Sequence, residues 1–476
     1  MLLSQLLGEK IEQDVNVTGV AYDSRSVEKG NVFVCIKGFS TDGHQFAKMA
    51  EEKGAAAIIA EDAVDVSVPV IYVENARRTI AQISSAFFGY PSRKFSLIGV
   101  TGTNGKTTVT YLIKSILEAA GKRVGVIGTN QNIIGDKVLL TQSTTPTTPN
   151  ALELQKLFCE MVEENAEYVV MEVSSHALAL DRVYGCEFDV GVFTNITQDH
   201  LDFHKTMEDY LAAKVKLFDM CKKGVVNVDD AGGQHIIKKA PCNILTVGIE
   251  KTCDIQAKNI SICARGSSFD AVMNGCAYPM ELAIPGKFSV YNAVCAMGAA
   301  HACGISIQSC QKGLAAARGV MGRVEVVPTD TDYTVIIDYA HTPDGLENII
   351  STIQEFAKGR VITLFGCGGD RDRTKRPVMG EIAGRLSDYV IVTSDNPRTE
   401  EPGAIIREIE EGVKQTGCEY TVIENRREAI GYALETAKKD DVIILAGKGQ
   451  ETYQIIGKEK VDFDERVIVH QCLSKK

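Results

Sequence analysis

The sequence predicts an α/β protein built mainly on parallel sheets and divided into about three domains. Three observations carry this. The chain has 476 residues, and at roughly 150 residues per domain that length accommodates about three. Short apolar strands alternate with helical stretches from Phe95 onward and again beyond Gly322-Arg323, the pattern of parallel sheets covered on both faces. Hydrophobic residues make up 45% and charged residues 24%, the composition of a chain that buries cores and is not disordered.

In the first segment, 1–95, short strands are expected at Val32–Ile36, Ala57–Ala60 and Val70–Val73, among short helices. The opening Met-Leu-Leu-Ser-Gln-Leu-Leu has no basic n-region and reads as a short amphipathic helix, not a signal peptide. A second segment, 96–323, carries strands at Ser96–Val100, Arg123–Ile127, Tyr168–Val173, Val190–Asn195 and Gly224–Val228, with a helix from about Lys106 to Ala120. Between about 250 and 288 the rhythm changes to a small antiparallel patch. Helices return at Val290–Cys303 and Ile307–Ala317. The third segment, 324–476, is a second doubly wound unit. Its strands are Thr334–Asp338, Val361–Phe365, Tyr389–Thr393, Thr421–Glu424 and Asp441–Leu445, with helices Asp344–Phe356, Pro377–Leu386, Gly403–Thr416 and Arg427–Lys438.

Charge and cysteine content narrow the function. With 51 basic and 62 acidic residues the formal charge is −11, a poor match to nucleic acid, whose binding needs a basic surface. No apolar run approaches the roughly 20 residues of a membrane span. The 14 cysteines are scattered without a Cys-x-x-Cys pair, so free thiols in a reducing cytoplasm are expected.

The strongest motif is Thr101-Gly102-Thr103-Asn104-Gly105-Lys106-Thr107-Thr108, set between a strand and a helix. Glycines let backbone N–H groups approach phosphate oxygens, the helix start adds partial positive charge, Lys106 adds a full one, and Thr107 offers a hydroxyl to Mg²⁺. Val100 replaces the usual first glycine, so this is a variant phosphate loop, for which ATP is the expected ligand. Two polar stretches, Glu172-Val173-Ser174-Ser175-His176 and Asn195-Ile196-Thr197-Gln198-Asp199-His200-Leu201-Asp202-Phe203-His204, end the following strands, where open α/β sheets bind ligands. Carboxylate and imidazole there suit Mg²⁺ beside a nucleotide phosphate. Leu211, Val215 and Phe218 fall at helical spacing. By pattern alone Lys214 therefore reads as a lysine snorkelling beside a buried face.

These motifs, with Tyr210-Leu211-Ala212-Ala213-Lys214, Gly286-Lys287-Phe288-Ser289-Val290-Tyr291-Asn292, Gly322-Arg323-Val324-Glu325 and Asp338-Tyr339-Ala340-His341-Thr342-Pro343, resemble the Mur ligase family of ATP-dependent amino-acid ligases, in order along nearly the whole chain. Asp23-Ser24-Arg25, Thr144-Thr145-Pro146-Thr147-Thr148-Pro149 and Gly366-Cys367-Gly368-Gly369-Asp370-Arg371-Asp372 support the branch that adds the third residue of the peptidoglycan stem peptide. The resemblance implies an N-terminal UDP-binding domain, a central ATPase and a C-terminal Rossmann-like, amino-acid-binding domain. It implies that Gly102 to Thr108, Asn292, Arg323 and Asp338 bind ATP, and that Ser24, Thr147, Thr148, Ser174 and Arg182 contact UDP-N-acetylmuramoyl-L-alanyl-D-glutamate. It further implies that Lys106, His200 and a carbamylated Lys214 are catalytic, and that Thr107, Glu172, His200 and Lys214 serve Mg²⁺. Leu180 stands where some relatives have a Gln that touches the muramoyl substrate.

Ser394-Asp395-Asn396-Pro397-Arg398-Thr399-Glu400-Glu401-Pro402 reads locally as a turn after a strand, with Thr399 an N-cap and Glu400 and Glu401 favouring the helix start. In the resembled family Asp-Asn-Pro-Arg marks enzymes that add meso-diaminopimelate, and lysine-adding relatives lack the Arg. A guanidinium suits the distal carboxylate of diaminopimelate and repels the ammonium of lysine. Asp395, Asn396, Pro397, Arg398, Arg371, Gly447 and Glu451 would form that pocket. A monomer is expected. The alternatives are the same ligase using lysine, a folate-chain ligase, against which the first 95 residues argue, and a non-catalytic nucleotide-binding scaffold.

Overall fold

The computed structural model describes every residue except 40, 142–143, 146, 198, 318 and 475–476, and the side chain of Asp202. Pro146 and Gln198 of the motifs above lie outside the described residues. Two compact units are formed, Met1–Gln256 with Val294–Gly313, and Ala257–Ala293 with Leu314–Lys476.

In the first unit, strands β1 (Gly19–Ala21), β2 (Asn31–Val34), β3 (Ala57–Ala60) and β4 (Val70–Tyr72) make a parallel sheet in the order β1-β2-β3-β4. Both faces are covered. Val32, Val34 and Ile59 pack with helices Leu3–Leu7 and Ala76–Phe87, and Phe33 and Ile58 pack with helix Ala47–Glu52. A second sheet is built from β5 (Ser96–Thr101), β6 (Val124–Ile127), β7 (Ile133–Ile134), β8 (Lys137–Val138), β9 (Tyr168–Glu172), β10 (Phe188–Phe193), β11 (Cys221–Asn227) and β12 (Asn243–Gly248). Its order is β12-β11-β10-β5-β9-β6-β7-β8, parallel from β12 to β6. The chain leaves β5 to build β6 and β9 on one side, then crosses to β10 on the other. A crevice therefore opens outside the carboxyl ends of β5, β9 and β10, the ligand position of an open α/β sheet.

β13 (Ile255–Cys263) starts in the first unit and runs into the second, where β14 (Gly266–Met273) and β15 (Cys276–Leu282) pair antiparallel, as the changed rhythm at 250–288 predicts. The main sheet of the second unit contains β16 (Glu325–Val327), β17 (Thr334–Asp338), β18 (Val361–Phe365), β19 (Tyr389–Val392), β20 (Tyr420–Val422) and β21 (Val442–Ala446), in the order β16-β17-β21-β18-β19-β20. Only the β16–β17 pair in it is antiparallel. A separate hairpin, β22 (Tyr453–Ile456) and β23 (Glu459–Asp462), follows. The mixed α/β class read from the sequence is the class observed.

Helices Lys375–Leu386 and Pro402–Lys414 approach each other's backbone closely at two glycines. A Cβ at Gly380 would lie 2.1 Å from the Ile409 carbonyl oxygen, and one at Gly412 would lie 1.8 Å from that of Pro377. Backbone on both sides leaves nothing flexible to yield. Gly412→Ala is therefore expected to lower stability by about 1–3 kcal/mol through overpacking. Chemical denaturation followed by circular dichroism checks this, and an unchanged midpoint would contradict the close crossing.

Candidate active site

The phosphate loop leaves β5 at Gly102, whose φ of +151° places a Cβ 1.9 Å from Thr194 Oγ1, so no side chain fits there. Most of the bonds that hold the loop come from the end of β10. Thr103 N–H donates to the Asn195 carbonyl at 2.9 Å, Asn104 N–H donates to Asn195 Oδ1 at 2.9 Å, and Thr194 Oγ1 donates to the Asn104 carbonyl at 2.6 Å. Gly105, at φ +83°, starts helix Lys106–Ala119 without a side-chain cap, leaving first-turn N–H groups for an anion. Lys106 Nζ curls over the loop, 3.0 Å from the Gly102 oxygen and 2.8 Å from that of Thr103. Thr107 and Thr108 follow in the same first turn.

Beside the loop, Tyr210 links three predicted residues. Its hydroxyl lies 3.0 Å from Thr103 Oγ1, its ring centre 6.0 Å from that of His200 and 4.3 Å from Lys214 Nζ. Lys214 does not snorkel: it is 1% exposed. Burial first, and the charge of Lys106 second, push its amine well below the ordinary lysine value. His200 adopts a left-handed φ of +52° and is partly exposed, 3.5 Å from the Asp199 carboxylate and stacked edge-on to His176.

Glu172 ends β9 and is 1% exposed. Its carboxylate accepts from Thr129 N–H at 2.9 Å and Thr129 Oγ1 at 3.1 Å, and among the described residues no cation pairs with it. A buried carboxylate whose hydrogen-bond partners are neutral, beside the Thr129 hydroxyl, fits a hard divalent cation such as Mg²⁺. The neighbouring turn is tied to the same strand end. Thr148 Oγ1 donates to the Glu172 carbonyl at 2.9 Å, Ser174 N–H donates to Thr148 Oγ1 at 3.0 Å, and Thr147, at φ +66°, sets its hydroxyl 2.9 Å from that of Thr129.

A cavity of about 650 Å³ opens between the small sheet and the central one within the first unit, lined by Tyr22, Ser24, Arg77, Asn150, Leu180 and Arg182 among others. Arg182 Nη1 donates to the Thr148 carbonyl at 3.1 Å, while its Nε is buried with no partner. Burial, and then the like charge of Arg77, hold its guanidinium below the ordinary value. A cavity wall with two arginines, one of them incompletely satisfied, suits an anionic ligand. Arg77 and Tyr22 were not visible as site residues in the sequence; an arginine on an amphipathic helix carries no local signal.

In the second unit the Asp395–Arg398 turn is joined to the loop after β21 and to the β22–β23 hairpin. Asn396 donates to Glu451 Oε2 at 2.8 Å and accepts from Lys448 Nζ at 3.0 Å and Ile455 N–H at 2.9 Å. Asp395 Oδ2 is buried without a hydrogen-bond partner, and a Cβ at Gly447 would lie 2.8 Å from it. Arg398, at φ +50°, donates its N–H to the Ile455 carbonyl at 3.1 Å and its Nη1 to the Gly369 carbonyl at 2.8 Å. Arg371 is exposed, with Nη1 3.1 Å from the Asp370 carbonyl. Glu451, Asn396, Asp395 and Gly447 are thus one cluster, with Arg398 on the same turn. Lys448, fully buried beneath it, was missed. One local reading is corrected. Thr399 does not cap the next helix: its hydroxyl donates to Asp370 Oδ1 at 2.7 Å, and Glu401 caps Pro402–Lys414 by accepting from Gly403 N–H. Elsewhere in this unit Asp338 accepts from Val324 and Ala340 N–H, both at 2.8 Å, and burial raises its carboxyl. The Arg323 guanidinium lies over the Tyr339 ring at 5.4 Å, and Asn292 is buried in helix Lys287–Ala302.

Three consecutive stretches match one family. Residues 16–88 match the Mur ligase family catalytic domain, 100–300 the Mur ligase middle domain and 322–449 the Mur ligase glutamate ligase domain. The chain belongs to the Mur ligase family. It is 48% identical over 471 residues to the UDP-N-acetylmuramoyl-L-alanyl-D-glutamate--2,6-diaminopimelate ligase of Clostridium botulinum, covering 98% of this chain and 96% of that one. It is 50% identical over 467 residues to the ligase of the same name from Caldanaerobacter subterraneus, covering 97% and 96%. A solved structure of a ligase of that name superimposes with a TM-score of 0.79 at 32% identity, covering 100% of this chain and 99% of the other.

Glu400, next to the corrected cap, faces the buried Arg376 guanidinium, which holds its carboxyl down to about 2 from an ordinary 4.5. A carboxyl depressed in the folded state stabilises fully above its unfolded value, and the contribution is lost as pH falls through the folded one. Unfolding free energy should therefore fall between pH 4.5 and about 2, and Glu400→Gln should flatten that slope. Denaturant titrations across this range measure it; equal slopes in both proteins would refute the assignment.

Proposed function

We infer that the chain is an ATP-dependent ligase that joins meso-2,6-diaminopimelate to the D-glutamyl carboxylate of UDP-N-acetylmuramoyl-L-alanyl-D-glutamate in peptidoglycan precursor synthesis. The observation that carries the third-residue identity is the Asp395–Arg398 turn. The turn carries Arg398, its Asn396 is hydrogen-bonded to Glu451, and its Asp395 keeps a buried carboxylate oxygen without a partner; these charged groups would together complement a distal amino-acid head. Residues 1–95 would hold the uridine end with Ser24, residues 96–323 the ATP and the reacting carboxylate, and residues 324–476 the amino acid.

A carboxylate and an ammonium do not condense at neutral pH, so ATP first phosphorylates the D-glutamyl carboxylate to an acyl phosphate. Lys106 and the first-turn N–H groups after Gly105 stabilise the transferring phosphoryl group. The diaminopimelate amine then attacks the acyl carbon, and phosphate leaves from the tetrahedral intermediate. With a lysine-like pKa, only about one amine in a thousand is neutral at pH 7, so the site must also take a proton. Arg182, Thr147, Thr148 and Ser174 would orient the dipeptide, and Asn292, Arg323 and Asp338 the nucleotide. Mg²⁺, held by Thr107, Glu172, His200 and Lys214, would neutralise phosphate charge. The buried setting of Lys214 supports a carbamate there. An amine deprived of its proton adds CO₂ readily, and the product is an anion suited to a cation site. The 14 free thiols support a reducing cytoplasm, and one chain carrying all three sites supports a monomer.

Lys214→Ala should lose most turnover, and a short carboxylic acid added to the assay should restore part of it by supplying the missing anion. Rescue by an uncharged amide of the same size would speak against the carbamate.

The functional reading is tested by supplying ATP, the UDP-muramoyl-dipeptide and a panel of amino acids, read by phosphate release and product mass. Diaminopimelate should be strongly preferred to lysine. Arg398→Ala should lower kcat/KM for diaminopimelate by about 30- to 1000-fold, the loss of a charge-assisted contact of roughly 2–4 kcal/mol, with ATP use unimpaired. Arg398→Lys should rescue only partly, because an ammonium cannot form the fork. Equal use of lysine by the wild type would overturn the third-residue assignment.

A further inference from the structure

Behind the Arg398 turn lies an ion-pair network that takes no part in the chemistry above. Arg376, in the first turn of helix Lys375–Leu386, is 0% exposed. Its Nη2 donates to Glu400 Oε1 at 2.8 Å and its Nη1 to Glu400 Oε2 at 3.0 Å, a two-pronged contact, and Nη1 also donates to Glu408 Oε2 at 2.8 Å. Glu408 belongs to the helix that crosses on Gly412, so the glycine contact fixes the distance the network spans.

Glu400 stands two residues after Arg398 and ties two loops together. Its Oε1 accepts from Asp370 N–H at 2.6 Å. The Asp370 carboxylate in turn accepts from Thr399 Oγ1 at 2.7 Å and Thr399 N–H at 3.2 Å. Gly369 N–H donates to the Asn396 carbonyl at 2.9 Å, and Arg398 reaches back to the Gly369 carbonyl. One arginine of the pocket, Arg398, sits on one of these loops, and the other, Arg371, sits on the second. Each loop also contains a non-glycine residue in the left-handed region, Arg398 at φ +50° and Asp370 at +54°. Such residues persist only where surrounding contacts hold them.

Resting on the functional reading above, we propose that Arg376 is a positioning residue for third-residue selectivity, clamping the 395–400 turn onto the 368–372 loop through Glu400 so that Arg398 and Arg371 face one distal carboxylate. Arg376 touches no substrate. It acts by fixing the backbone from which two substrate-facing guanidiniums project, with Glu408 supplying the second carboxylate that anchors it. The buried guanidinium is matched on two sides, so the clamp is rigid and not a switch.

A purely structural ion pair and a positioning one are separated by what changes. The experiment compares Glu400→Gln, Glu408→Gln and Arg376→Lys with wild type, measuring KM and kcat for diaminopimelate, KM for ATP and for the UDP-muramoyl-dipeptide, the diaminopimelate-to-lysine ratio of kcat/KM, and the unfolding midpoint. Glu400→Gln keeps the shape of the side chain and serves where the Arg376 variant does not fold. The expected result is a rise in KM for diaminopimelate of about ten- to hundredfold, the effect of a small misplacement of binding groups. Saturated kcat and the other two KM values should stay near wild type, and the selectivity ratio should fall. Variants with lowered unfolding midpoints but wild-type KM and selectivity for diaminopimelate would overturn the proposal while leaving the functional reading intact. A wild type that does not use diaminopimelate would remove that reading and the proposal with it.

Discussion

The nucleotide end of the first unit depends on a contact between two adjacent strand ends. Gly102 has no room for a methyl group because Thr194 of the neighbouring strand fills that space, and Thr194 and Asn195 satisfy the loop's amides and carbonyls in return. The phosphate loop is thus shaped by β10 as much as by its own glycines. The same arrangement brings Thr103 against Tyr210, and Tyr210 against Lys214 and His200. The sheet order, with β5 between β9 and β10, places Glu172 on the other side of the loop. Loop and carboxylate lie at one level because three parallel strands end there.

The two units handle buried charge in opposite ways. Lys214 is buried with an aromatic face and a second lysine as neighbours, an environment that disfavours its ammonium. Arg376 is buried against two carboxylates, an environment that leaves it charged and fixed. The first arrangement leaves a group chemically available. The second gives geometric certainty to the loops above it, as supporting contacts must where a site rests on loops and not on regular elements.

Most of the fold was legible because its strands are buried on both faces and therefore read as unbroken β-branched runs. Thr334–Asp338 and Val361–Phe365 have the bounds the sequence suggests. Very short or exposed strands were not legible, including the three-residue Gly19–Ala21 and the exposed Glu459–Asp462. On the helix around Lys214 the covered face is wider than the predicted stripe, whose Phe218 is fully buried. Leu211 and Val215 are partly buried against the core, and Tyr210, Ala213, Lys214, Leu217 and Phe218 form the covered face, so Lys214 lies within it and not at its edge. Thr399 lost its expected capping role to a distant acceptor, Asp370, that no local pattern reveals. Arg376 looked like one more basic residue in Lys375-Arg376-Pro377, since its partners lie 24 and 32 residues along the chain.

The cavity that holds Arg77 and Arg182 belongs to a chain carrying a formal charge of −11. A polyanionic ligand of that cavity would be repelled by the net charge at long range and attracted by the arginines only at the end. Ions screen beyond a Debye length of roughly 8 Å at physiological strength, so added salt weakens the distant repulsion before it weakens contacts made inside the pocket. Capture of such a ligand in that cavity would accelerate as ionic strength rises from low values, the reverse of the behaviour of enzymes that draw in anions with a positive surface.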